Sequence, residues 1–261
     1  MGHSFITNKN KFLADIINGI LPKTNAVDFL VGYFYYSGYK ELSEQLKDKR
    51  IRILIGLDIE IHITKHICEV ENFRQQLQSR GVLKEEYYAQ FIKAFNDTDF
   101  LDTEEKIEQF KMFYSKILDG SLEIRKTLEP CHSKMYLFAY SDIINEGGEN
   151  PGVLITGSSN LSYQGLKGRL ELNARFNDKI EYDEGKEIFE ELWKDAIVIA
   201  DKDNIDEWNN KVMKHIWFDT LYSPYLMFIR VLIEYFAIPS KDNLLTPYDI
   251  TDGRFSNLKY Q

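Results

Sequence analysis

Two unbroken apolar runs frame the first part of the chain, "AVDFLVGYF" at residues 26–34 and "IRILIGL" at residues 51–57. Their β-branched and aromatic content predicts buried strands. Between them Tyr39, Leu42 and Leu46 recur at helical spacing, with Ser37 and Gly38 placed as a helix start. Strand, helix and strand with short connections predict a right-handed parallel crossover, the basic α/β unit. The pattern then changes from about residue 60 to 119. "TKHICEVENFRQQLQSRG", "KEEYYAQFIKAFND" and "EEKIEQFKMFYSKILDG" read as three helices that end at glycine or a polar turn, so this region is expected to be a helical insertion.

Strand-like runs resume with "SLEIRKTL", "HSKMYLFAY", "GVLITGS" and "LELNARF". The second and third are joined by "SDIINEGGENPG", whose turn residues predict a hairpin of some length. "DEGKEIFEELWKDA" follows as a helix with Ile188, Leu192 and Trp193 on one face. The tail contributes two further helices, "DEWNNKVMKHIWF" and "SPYLMFIRVLIEYFA", the second started by Ser223 and Pro224. "IPSKDNLLTPYDITDGRFSNLKYQ" reads as a connector. The expected architecture is α/β: one domain over residues 1–200 with a helical insertion at about 60–119, then a helical extension and linker over 201–261.

Composition narrows the setting. The formal net charge of -9 argues against a general nucleic-acid coat but permits a local basic site. The start "MGHSFITNKNKF" lacks a signal-peptide pattern and no apolar run approaches membrane-spanning length. Two distant cysteines, Cys68 and Cys131, suit a reducing compartment. A soluble, cytoplasmic chain with no membrane partner is expected. Acidic residues gather in the helices, whereas Arg125, Lys126, His132, Lys134, Lys167 and Arg169 make one cationic segment. His62 and His66 are four apart, but no third ligand accompanies them at metal-site spacing, so neither metal nor cofactor is expected.

His132 and Lys134 stand two apart in an expected strand and so point to one face. A histidine and a lysine side by side are poor core residues unless an anion belongs there. "GSSN" closes the next strand, placing Gly157, Ser158, Ser159 and Asn160 at its carboxyl end, where ligands gather in open α/β sheets. Glu171 lies on the strand after. Together these residues make an anion site with a potential nucleophile.

His132-Ser-Lys134, Gly157-Ser158-Ser159-Asn160 and Glu171, in that order, resemble the signature of the phospholipase D superfamily. The family pattern also carries an aspartate that would fall at Ala139, so that element is absent here. The resemblance implies a phospholipase D-like mixed β-sheet flanked by helices and a metal-independent phosphodiesterase or nuclease. His132 would form a phosphohistidine, Lys134 and Asn160 would hold the phosphoryl oxygens, and Glu171 would orient His132. Ser158 would bond to phosphate or histidine, and Gly157, Ser159, Lys167 and Arg169 would line the substrate. A second histidine is required and the chain has one motif, which implies a homodimer with the site at its two-fold axis. "FLVGYFYYSGYKELSEQLKDKRIRILIGL" and the tail resemble the amino-terminal module of bacterial Swi/Snf-related helicases. That implies DNA as substrate, a motor beyond Gln261 and a role in restriction or phage defence. The alternative is a weak or inactive module of the same fold that binds DNA or a partner protein. In "YFYYSGY" core packing is favoured over base stacking.

Overall fold

In the computed structural model, which describes residues 4–9, 11–59, 80–95 and 104–215, the chain begins with elements that the apolar pattern did not single out. These are β1 (Ser4–Ile6) and α1 (Leu13–Ile20). A 3-10 turn at Leu21–Lys23 then leads into β2 (Thr24–Phe34), α2 (Tyr36–Leu46) and β3 (Arg50–Ile59). β2 and β3 pair in parallel from Ala26↔Arg50 onward, so the predicted crossover is present. α2 starts one residue before Ser37, and its N-cap, Tyr35, is extended with no side-chain cap. Gly38 serves a different end: a Cβ there would lie 2.3 Å from the carbonyl carbon of Leu161. Only glycine lets the backbone of residues 161–162 rest on the first turn of the helix.

Two insertion helices follow, α3 (Arg80–Phe95) and α4 (Glu104–Asp119). They do not stand apart from the domain. Leu83, Tyr87 and Phe91 of α3, and Phe110, Phe113 and Ile117 of α4, are buried in the main core at helical spacing. Lys116, 4% exposed, donates to the carbonyls of Lys47 and Lys49 at 2.9 Å each, tying α4 to the end of α2. His62, residues 64–79 of the expected first insertion helix, the helix at 223–237, Trp217 and the connector lie outside the described residues; the expected helix end at Gly81 instead falls inside α3.

The remaining elements are β4 (Leu122–Lys126), β5 (Met135–Tyr140), β6 (Gly152–Gly157), β7 (Asn173–Phe176), α5 (Lys179–Asp195), β8 (Ile197–Ala200) and α6 (Ile205–Lys211). Among the described residues they complete an eight-stranded sheet in the order β1-β7-β6-β5-β2-β3-β4-β8. β2, β3 and β4 are parallel and the other pairings antiparallel, giving the mixed sheet expected. β5 and β6 form the expected hairpin, from Met135↔Thr156 to Ala139↔Gly152. The helix expected from Asp206 is shorter, with α6 ending at Lys211 before a 3-10 turn at Met213–His215; it carries Trp208 into the main core, where it packs edge-on to Phe91 at 4.8 Å.

Strand alternation splits the core into two layers. Val27, Phe29 and Val31 face α1 to α4, while Leu30, Leu54 and Leu137 face α5. The buried stripe of α5 is Tyr182, Gly185, Phe189 and Trp193, and Ile188 is 51% exposed. This corrects the expected Ile188 face, because the 182-185-189-193 series follows the 3.6-residue period more closely and includes the bulkier rings. Beneath α5, Arg52 grips Asp28 through two bonds of 2.6 and 3.0 Å and reaches Glu190 at 2.6 Å. Its guanidinium lies over Phe189 and Trp193, 4.8 and 5.0 Å from their centroids. Buried charge is tolerated there because it is paired on every side.

Candidate active site at the carboxyl end of β2

β5 begins at Met135, so His132, Ser133 and Lys134 precede the strand instead of lying on it. The chain arriving from β4 is held over the end of β3 by Thr127 N–H to Ile55 O at 2.9 Å and Cys131 N–H to Gly56 O at 3.1 Å. That route keeps residues 131–134 out of the ladder. The histidine and lysine come together through this irregular approach, not through strand alternation. His132 is exposed, while Lys134 is 4% exposed and donates from Nζ to the His132 carbonyl at 2.7 Å. The same Nζ lies 2.9 Å from His132 Nδ1 and 3.0 Å from Nε2.

Both groups titrate below their ordinary values. Burial pushes Lys134 down to about 8, against the opposing charge of Glu171. Burial also lowers His132, and the neighbouring ammonium of Lys134 lowers it further. Both effects favour the neutral imidazole, whose lone pair can accept from the lysine or attack.

Gly32 of β2 is where these side chains converge. A Cβ placed on it would lie 3.3 Å from His132 Cδ2, 3.4 Å from Asn160 Oδ1 and 3.4 Å from Lys134 Nζ. The β2–β3 register slips here, between Val31↔Ile55 and Tyr33↔Asp58. Freed from the regular ladder, Tyr33 N–H donates to Asn160 Oδ1 at 3.0 Å, and Tyr35 N–H to Leu161 O at 3.1 Å. The Asn160 carbonyl is thereby fixed and its NH2 end becomes the donor that it can offer an anion. Gly32 was not singled out from the sequence, and Tyr33 was read only as part of "YFYYSGY", where core packing was favoured. A glycine inside a run of large apolar residues was the available signal for a close approach at that point.

At the end of β6, Gly157 donates its N–H to Lys134 O at 3.3 Å. Ser158 Oγ donates to Glu171 Oε2 and accepts from Leu172 N–H at 3.0 Å. Glu171 precedes β7, which corrects its expected place on the strand. Among the described residues its carboxylate bonds to Ser158 and not to His132, because Leu172 hooks onto Ser158 through both its N–H and its carbonyl. Ser159 is fully buried. Its Oγ donates to Gly165 O at 3.0 Å and accepts from Asn173 Nδ2 at 2.9 Å, so it locks the loop and lines no substrate. Lys167 pairs with Glu41 at 2.6 Å, and Arg169 is exposed. Neither makes an ion pair or hydrogen bond with His132, Lys134 or Asn160.

The chain belongs to the phospholipase D-like family: residues 26–193 match the family described as "Cardiolipin synthase, PLD-like domain". No curated protein matches the chain. Among solved structures it is similar to Nuc, a phospholipase D family member from Salmonella typhimurium, at 9% identity and a TM-score of 0.41, over 76% of this chain and 97% of that one. It is similar to NucT from Helicobacter pylori at 10% identity and a TM-score of 0.39, over 76% and 98%. TrmBL2, an archaeal chromatin protein described with a novel mode of DNA binding, matches at 12% identity and a TM-score of 0.36, over 75% and 53%.

Proposed function

We propose that the chain is a metal-independent phosphodiesterase that cleaves DNA through a phosphohistidine formed on His132. The observation that carries this reading is the convergence of His132, Lys134 and Asn160 on the side-chain-free surface of Gly32. A phosphoryl group seated there meets a neutral imidazole, an ammonium and an amide donor together. In the first step a ring nitrogen of His132 attacks phosphorus, the bond to the leaving oxygen breaks, and a second histidine protonates that oxygen. In the second step the same partner histidine takes a proton from water, which attacks phosphorus and releases His132. Lys134 and Asn160 stabilise the charge that builds on the non-bridging oxygens. Ser158 and Glu171 stand at the rim of this seat.

The second histidine comes from another copy of the chain, joined across a two-fold axis. Leu170 and Leu172, 76% and 57% exposed, flank Glu171 and give the rim an apolar surface suited to such contact. A helicase motor continuing beyond Gln261, in a restriction or phage-defence protein, would supply the strand.

The test is cleavage of labelled DNA in EDTA by the wild type and by His132→Ala, with acid-stable and acid-labile phosphate on the protein measured in parallel. Cleavage and a labile phosphoprotein in the wild type alone are expected. Loss of cleavage in EDTA contradicts the reading. Binding without cleavage by either protein favours the alternative, a non-catalytic DNA-binding module. Sedimentation in the presence of a phosphodiester should give a dimer.

A further inference from the structure

We propose that Tyr33 is a specificity-determining residue whose ring stacks on the base next to the reacting phosphate, so that the site takes single-stranded nucleic acid. The inference rests on the nuclease reading above and deepens it. The tyrosine-rich run after Gly32 divides into two sets. Phe34, Tyr36 and Tyr39 are 1%, 5% and 0% exposed and belong to the core, as the sequence suggested. Tyr33 and Tyr35 are only half-buried. Their rings lie 6.4 Å apart, and Tyr33 stands edge-on to His132 at 6.1 Å and 82°.

The register slip at Gly32 produces this arrangement. An irregularity beside an active site bends its strand and re-aims a side chain, and here it turns Tyr33 toward the nucleophile while its N–H holds Asn160. A base hangs one sugar away from its phosphate. With phosphorus at His132, a ring centred 6.1 Å from the imidazole is within that reach. In a duplex both faces of a base are covered by its neighbours, so this ring is usable only by an unstacked base. Headgroups without an aromatic face would gain nothing from it.

The experiment measures binding in a His132→Asn background, which prevents turnover. Fluorescence anisotropy compares a labelled single-stranded oligonucleotide with an abasic strand of equal length and charge. The base-bearing strand is expected to bind roughly 5- to 150-fold more tightly, the range of one stacked base, and a matched duplex less tightly than the single strand. Tyr33→Leu should bring the preference close to one without weakening the abasic complex, and Tyr33→Phe should retain it. A preference that survives Tyr33→Leu overturns the assignment. Equal binding of both strands without any Tyr33 substitution also overturns it while leaving the nuclease reading intact. Failure to bind any strand, together with no cleavage by the wild type, overturns both.

Discussion

Replacing Lys134 by methionine should stabilise the fold near pH 7 while abolishing function. The lysine is 4% exposed, and burial lowers it from 10.5 to about 8. At 1.36 kcal/mol per pH unit, holding it charged in the folded state costs about 3 kcal/mol. Methionine has a similar length and no charge, but it forfeits the bond to the His132 carbonyl, worth about 1 kcal/mol. The net expectation is a gain of about 2 kcal/mol near neutrality.

The sign of the pH dependence follows from the same numbers. Below about 8 both folded and unfolded chains carry the proton, and the wild type bears the whole penalty. Between about 8 and 10.5 the unfolded chain binds more protons than the folded one, so wild-type stability rises with pH. Above that window the penalty is gone and Lys134→Met should be slightly less stable than the wild type. The assay is urea unfolding followed by tryptophan fluorescence at several pH values, read as the difference between the two proteins so that all shared titrations cancel. Inorganic phosphate should stabilise the wild type and leave the variant unmoved. A difference that is flat with pH, or a variant less stable than the wild type at neutrality, would refute the claim that Lys134 is a buried charge awaiting an anion.

Three further outcomes are expected. The kcat/KM for a phosphodiester should fall above about pH 8 as Lys134 loses its proton; Lys134→Arg, whose guanidinium stays charged, should remove that alkaline limb at a lower plateau. Gly32→Ala should melt within a few degrees of the wild type, because its methyl meets its neighbours at 3.3–3.4 Å. The methyl occupies the proposed phosphoryl seat, however, and turnover should drop by about 100-fold or more. Asp28→Asn strips Arg52 of its buried partner and should cost about 3 kcal/mol in urea unfolding, while DNA affinity remains unchanged.

The central crossover was legible because continuous apolar runs and a clean helical period leave few alternatives for residues 26–57. The ordered set His132, Lys134, Asn160 was legible for the same reason that it converges: polar groups just before β5 and just after β6 flank apolar strands and gather at one end of the sheet. What the sequence concealed were effects of distant partners. Ser158 and Ser159 are adjacent and chemically identical, yet one meets Glu171 at the rim and the other is sealed by Asn173, fourteen residues away. Residues 131–134 mimic strand alternation, but Gly56 and Ile55 hold them off the ladder. β1 and β8 are too short to carry a period, and they exist because β7 and β4 offer edges to pair with.

The departure at Ala139 weighs less against catalysis than its place in the motif suggests. It lies on β5 opposite Ala26 and Gly152, five residues past Lys134. At about 3.4 Å per strand residue, that is roughly 17 Å from the site. Its side chain packs at the edge of the layer beneath α5, on the face it shares with Leu137. The strand position opposite Leu137 is Asp28, whose carboxylate already joins Arg52 and Lys186 in that layer. An aspartate at 139 would therefore act on the packing of α5, where this chain already supplies a buried carboxylate from β2. It could not touch a phosphoryl group seated on Gly32. The proposed chemistry rests on His132, Lys134 and Asn160 around that glycine, and this chain carries all three.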